Sequence, residues 1–340
     1  MRILITGNLG YIGTELATHL LKHEMSVFGL DSGFYKKCLL VADHRDIPTN
    51  VKDIRDLSVQ DFNGFDAVVH LAALSNDPIG ELNASLTFQI NGDASIKAAE
   101  LARLAGVKKF IFVSTQSVYG ISTSEEELDE FAAKNPQTAY AKSKWDAEQF
   151  ILEMSSANYT TVALRPSTVF GWSPRLRSDI VFNNLLLSGL TKGTIEVHSD
   201  GTPWRPIVHV SDLAEAIRLT LIADKKVISA NSFNIGKIGG NYTVREIALA
   251  AKECIGDIEI IFNTENIVDP RSYKVSFNRA FDALGFEAKR ELVESGNEML
   301  GKFKQHNLNE KDLMGRLTNR LSQVSYLKQE GKVDESLRFI

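Results

Sequence analysis

Two groups of residues in this chain have types and spacings that could do chemistry. The first is Tyr140-Ala141-Lys142-Ser143-Lys144, which sets a phenol and an ammonium four residues apart. On a helix that spacing places both on one face. A free phenol, with a pKa of about 10, is a poor base at neutral pH. A neighbouring positive charge stabilises the phenolate and lowers that value, so the pair could move a proton at a substrate hydroxyl. The second group is Gly7-Asn8-Leu9-Gly10-Tyr11-Ile12-Gly13, with glycines at every third position. Glycines there let the chain turn sharply, bring backbone N–H groups up to a diphosphate, and pack a helix close to a sheet. The helix that follows would aim the positive end of its dipole at the phosphates.

Two carboxylates extend the second group. Asp31 closes an apolar run that begins after the first helix, 18 residues beyond Gly13. A carboxylate there can accept both ribose hydroxyls of an adenosine and would repel a 2′-phosphate, which favours NAD over NADP. Asp53, followed by Ile54, stands where an aspartate can reach an adenine amino group. A nicotinamide cation near Tyr140 would help lower the phenol's pKa, and Lys144 could hold the nicotinamide ribose. The stretch Ser114-Thr115-Gln116-Ser117-Val118-Tyr119-Gly120 presents hydroxyls after another apolar run.

The elements that must position these residues are legible in the hydrophobic pattern. Short apolar runs at Ile3 to Ile5, Val27 to Leu30, Ala67 to Leu71, Phe110 to Val113 and Thr160 to Leu164 predict buried parallel strands. Between them lie segments of helical spacing, among them Ile12, Leu16 and Leu20, and a longer one from Ala84 to Ala105. Strand and helix in alternation predict an α/β fold, a Rossmann-type doubly wound parallel sheet whose ligands bind at the carboxyl edge. After Arg165-Pro166 the alternation stops, and a smaller C-terminal α/β substrate domain is expected. The expected division is 1–165 with a returning segment at about 206–235 for the dinucleotide-binding domain, and 166–205 with 236–304 for the substrate domain. Residues 305–340 form a helical tail in which Leu313, Leu317, Leu321 and Val324 recur at helical spacing.

Composition narrows the class. The chain has 340 residues, 44% of them hydrophobic, which excludes whole-chain disorder. Its net charge of −5 argues against a nucleic-acid partner. Two cysteines, Cys38 and Cys254, exclude a disulfide scaffold and a four-cysteine zinc site, and no metal is expected. The absence of an apolar stretch of about 18 residues predicts no membrane insertion, and a cytoplasmic location is expected.

In order along the chain, Thr6-Gly7-x-x-Gly10-x-x-Gly13, His70-Leu71-Ala72-Ala73, Asn91, Ser114-Thr115-x-x-Val118-Tyr119-Gly120, Tyr140-x-x-x-Lys144, Arg165-Pro166 and Arg205-Pro206-Ile207-Val208-His209-Val210-x-Asp212 resemble the extended short-chain dehydrogenase/reductases, in particular their nucleotide-sugar epimerase/dehydratase group. The resemblance covers about residues 1 to 300. It implies NAD as cofactor, a nucleotide-diphosphate sugar as substrate and a homodimer. It gives Tyr140 the role of acid and base at a sugar hydroxyl. Lys144 becomes the residue that lowers the tyrosine's pKa and binds ribose, and Thr115 a hydrogen-bond partner of the same sugar oxygen. Gly7, Gly10, Tyr11, Ile12, Gly13, Leu71, Ala72 and Ala73 would line NAD. Asn183, Asn184 and Leu185 would hold a phosphate and the base, Arg205 the diphosphate, and Asp269-Pro270-Arg271 a further part of the nucleotide. Asn91 is expected to fix a helix and His209 to be structural. By position alone, Ser75, Asn76 and Asp77 follow a strand edge and could line the sugar pocket.

The family's dehydratases carry Asp-Glu after the threonine, and this chain has Gln116-Ser117. The expected reaction is epimerisation, at C4 through a transient 4-keto sugar. The alternative is an NAD(P)H-dependent reductase of a 4-keto nucleotide sugar. Polysaccharide biosynthesis is the setting the resemblance suggests.

Overall fold

The computed structural model describes residues 1–75, 83–122, 126–263 and 271–340. Asn76, Asp77, Asp269 and Pro270, named above, lie outside the described residues. The strands are β1 (Arg2–Thr6), β2 (Ser26–Asp31), β3 (Thr49–Val51), β4 (Ala67–His70), β5 (Lys109–Val113), β6 (Thr160–Pro166), β7 (Thr168–Phe170), β8 (Thr194–Val197), β9 (Trp204–His209), β10 (Asn231–Ile235), β11 (Asn241–Thr243) and β12 (Glu259–Phe262). The helices are α1 (Tyr11–Lys22), α2 (Ala84–Thr87), α3 (Ala94–Leu104), α4 (Ala139–Glu153), α5 (Val181–Lys192), α6 (Val210–Ile222), α7 (Lys225–Ile228), α8 (Val244–Ile255), α9 (Asn278–Leu284), α10 (Leu292–Gln305), α11 (Glu310–Met314) and α12 (Arg320–Gln329).

Among the described residues, seven strands form one sheet in the order β10-β6-β5-β4-β1-β2-β3. Every pairing in it is parallel. This is the Rossmann order with an added edge strand, and the order reverses between β1 and β4. Strands β4 and β6 are buried along their whole length, as a sheet covered by helices on both faces demands. Helix α1 sinks Leu16 and Leu20 into the core and packs against α6.

The remaining strands sit outside that sheet. Strand β9 lies between β7, parallel to it, and β11, antiparallel to it. Strands β8 and β12 pair with each other next to α5 and α8. Thus of the stretch from 206 to 235, β10 joins the main sheet while β9 does not. The long helix expected from Ala84 to Ala105 is divided: a π-helical segment, Phe88–Asp93, joins α2 to α3. The helical tail is also divided, into α11 and α12, with Gly315 to Asn319 between them. No helix among the described residues is long and apolar enough to cross a membrane.

Candidate active site

The carboxyl edge of the main sheet opens into a cavity of about 1010 Å³. At the switch point its floor is the glycine turn. Gly7 has φ +79°, and its N–H donates to Leu30 O at 2.8 Å. A Cβ there would come within 2.8 Å of Ala72 N. A Cβ on Gly13 would overlap Gly7 O. The turn is therefore closed to side chains at both positions, which leaves α1 with its N-terminus open to a diphosphate. Gly10, Tyr11, Ile12, Leu71, Ala72 and Ala73 line the same space.

Asp31 ends β2 at the rim of the turn. Its carboxylate accepts from Leu9 N at 3.0 Å and Gly33 N at 2.7 Å. Burial pushes its pKa up, and those two N–H donors pull it down. Two acceptor positions remain on a carboxylate so held, which suits a ribose diol. Asp53 and Ile54 also face the cavity. Asp53 is clamped by Arg55, whose Nε and Nη2 donate to its two oxygens at 2.9 and 2.5 Å. Beneath the turn, His70 bridges Thr6 Oγ1 and Ser95 Oγ at 2.9 Å each. Burial drives its pKa to about 3, so it holds β1, β4 and α3 together as a neutral ring.

The Tyr–Lys pair lies on the first turns of α4, which Thr138 caps by accepting from Ala141 N at 3.2 Å. Tyr140 and Lys144 line the cavity with Thr115, which follows β5. Lys144 is fully buried, its Nζ 4.2 Å from the centre of the Phe112 ring. Burial lowers its pKa to about 7, against the opposing pull of Glu148 one turn along. Glu148 is held by Arg165, whose Nε and Nη2 donate to it at 3.0 and 2.5 Å in the dry interior behind the pair. Thr115 Oγ1 accepts from Ser117 N at 3.1 Å and keeps its own hydroxyl hydrogen to donate. Gln116 turns inward and donates to Arg165 O at 3.0 Å, whereas Ser117 faces the cavity and its Oγ accepts from Arg271 Nη1 at 3.0 Å.

At the far end Asn184, Leu185, Arg205 and Arg271 line the cavity, and Ser75 lines it beside Arg177. Arg205 donates to the carbonyls of Trp204 and Arg271, which joins β9 to the segment after residue 270. Asn183 is placed differently from the expectation. It is fully buried, accepts from Gly171 N at 3.1 Å, donates to Arg177 O at 2.9 Å, and is not among the cavity-lining residues. Its amide shapes the loop ahead of α5. Asn91 sits in the π-helical segment and bonds both backbone groups of Leu74, at 2.8 and 3.1 Å. A π-turn shifts the register of the side chains that follow it, and here it delivers the amide that sets the loop after β4. His209 caps α6 through Ser211 N at 3.2 Å, with its pKa driven by burial to about 3.

Two arginines at the cavity carry no sequence assignment. Arg177 pairs with Asp179 at 3.0 and 2.7 Å and also donates to Ser75 O and Oγ. It lies within electrostatic range of the phenols of Tyr140 and Tyr11. Arg320 comes from α12 in the tail. The signal for Arg177 was its place in the polar stretch Trp172 to Arg177. For Arg320 there was none, since it occupies a polar position in a tail whose pattern is set by its leucines.

The residues present fit a dinucleotide. A turn that side chains cannot fill, a carboxylate at the end of β2 and buried guanidinium groups nearby match a diphosphate flanked by a ribose. Residues 3–236 match the profile of the NAD dependent epimerase/dehydratase family. Among curated proteins, the chain is 28% identical over 316 residues to UDP-glucuronic acid decarboxylase 2 of Arabidopsis thaliana, covering 90% of this chain and 68% of that protein. It is 28% identical over 309 residues to a UDP-glucose 4-epimerase of Mycolicibacterium smegmatis, covering 86% of this chain and 96% of that protein. Among solved structures, MoeE5 in complex with UDP-glucose and NAD superposes with a TM-score of 0.78 at 26% identity, covering 91% of this chain and all of that one.

Proposed function

This chain belongs to the NAD-dependent epimerase/dehydratase family, an enzyme family acting on nucleotide sugars, and from that premise we propose that it is a nucleotide-sugar 4-epimerase. The observation that carries the reading is the composition of the wall around Tyr140. Thr115, Tyr140 and Lys144 face one cavity, and the two residues after Thr115 bring no acid or base to it: Gln116 points inward and Ser117 is bonded to Arg271. Water elimination from a neighbouring carbon needs such a group, whereas inversion at C4 does not.

Bound NAD supplies the acceptor and donor of hydride. Tyr140 takes the proton of the C4 hydroxyl and later returns it. Thr115 donates to the same oxygen and orients it. Lys144, one turn along α4, favours the phenolate through its positive charge. Arg205 and Arg271 offer paired donors to the substrate diphosphate, and Asn184 and Leu185 flank the base. Ser75 stands where the sugar turns over between the two half-reactions.

The test begins with the nucleotide retained on purification. The denatured protein should release NAD+, and UDP-sugars incubated without added cofactor should show the C4 epimer by NMR. Tyr140→Phe should keep the retained NAD+ and lower turnover by about 10²–10⁴. Loss of a carboxyl carbon from a UDP-uronic acid, or turnover only with added NADH, would replace the epimerase reading.

A further inference from the structure

We propose that Arg320, from the helix α12 that follows the substrate-binding elements, is a direct ligand of the cofactor's diphosphate, so that residues 305–340 complete the dinucleotide site. Its side chain lines the cavity and yet is only 1% exposed. One terminal nitrogen, Nη2, donates to Arg175 O at 2.7 Å, and the guanidinium lies 4.5 Å from the centre of the Tyr35 ring. The other, Nη1, is buried with no partner. No carboxylate among the described residues forms an ion pair with it. The neighbouring acids are taken: Asp46 holds Arg175 at 2.7 and 2.8 Å, and Asp179 holds Arg177.

A buried guanidinium with an orphan N–H is costly, because its hydration is lost and nothing replaces it. Burial and the nearby Arg177 accordingly press on its charged form. Such a group is satisfied by an anion, and its surroundings say which one. Arg320 lies within electrostatic range of the neutral phenol of Tyr11, the first residue of α1, and it stacks on Tyr35, just past Asp31. Both belong to the end of the cavity built by the glycine turn. Arg205, Arg271 and Asn184 belong to the other end. A diphosphate set against the N-terminus of α1 would meet backbone N–H groups from below and Arg320, with Arg177 beside it, from above. The assignment rests on the dinucleotide site alone and stands whichever sugar reaction follows.

The test uses the full chain stripped of nucleotide and reads binding, not turnover. Isothermal titration with ADP-ribose and, separately, with UDP is made on wild type, Arg320→Met and Arg320→Lys. Arg320→Met should weaken ADP-ribose by about ten- to hundredfold, the loss of a charged hydrogen bond, with UDP unchanged. Arg320→Lys should recover part of the loss. In wild type, ADP-ribose and not UDP should slow amide exchange across residues 319–329, a measurement that needs no variant to fold. Unchanged ADP-ribose affinity in a folded Arg320→Met, or no slowing in wild type, overturns the proposal. A loss confined to UDP overturns it too, by moving the arginine to the substrate's diphosphate.

Discussion

Lys144→Met should make the nucleotide-free protein more stable while abolishing turnover. Burial lowers the lysine's pKa from 10.5 to about 7. A tenfold change in proton affinity is worth about 1.4 kcal/mol, so holding the ammonium in the folded state costs about 5 kcal/mol. The contact of Nζ with the Phe112 ring returns part of this, about 1–2 kcal/mol for a desolvated cation over an aromatic face. Desolvation therefore wins, and methionine, of similar length and uncharged, should gain about 3–4 kcal/mol at pH 7. The pH dependence is the sharper signature. The folded pKa lies below the unfolded one, so between about 7 and 10.5 the unfolded chain keeps a proton that the folded protein has released. Wild-type stability consequently rises with pH through that window, and the gap between variant and wild type should shrink by about 2 kcal/mol from pH 7 to pH 9. Urea denaturation of both proteins, stripped of nucleotide, at pH 6, 7, 8 and 9 measures it. A variant less stable than wild type at every pH, or a gap that does not change with pH, would refute the argument that Lys144 is held at a cost.

Gly13→Ala should destabilise the fold by about 1–3 kcal/mol and weaken NAD binding, because its Cβ would overlap Gly7 O and force the turn open; thermal unfolding and calorimetry with NAD read the two effects. Glu148→Gln should cost about 3–5 kcal/mol, since it leaves Arg165 as an uncompensated buried charge; denaturant unfolding gives the figure, and a loss below about 1 kcal/mol would mean that water or another carboxylate reaches the arginine.

The strands β1, β2, β4, β5 and β6 were legible because a parallel sheet buried on both faces is written as continuous apolar runs. Strand β3 was not: Thr49-Asn50-Val51 is a partly exposed edge of three residues, mostly polar, and its pairing to β2 has no local signature. The glycine turn and the Tyr–Lys pair were legible because each depends on close spacing. What escaped is buried polarity. Arg175, Asn183, Arg320 and Gln323 are all nearly inaccessible, and a hydrophobic pattern treats each as surface. The resemblance gave Asn183 a ligand; in the structure its amide bonds Gly171 and Arg177 and it does not line the cavity. In the tail the leucine spacing suggested one helix, and Gly315 to Asn319 break it so that α12 can turn Arg320 and Gln323 inward.

The tail also sets an order of events in time. Gln323 donates to Phe34 O at 2.9 Å, Arg55 to Ser336 O at 2.8 Å, and Arg338 pairs with Asp56 at 2.5 Å, across sequence separations of 289, 281 and 282 residues. A chain emerging from the ribosome as far as Gln305 already holds the glycine turn, Asp31, Tyr140 and Lys144, and it lacks Gln323, Ser336 and Arg338, which make those three contacts, and the cavity-lining Arg320. Closing so long a loop carries an entropic cost that grows only slowly with its length, so these contacts are little harder to close than ones half as far apart in sequence. A chain stopped before α12 would therefore carry the folded sheet and its glycine turn without the three contacts that tie Phe34, Arg55 and Asp56 to the tail.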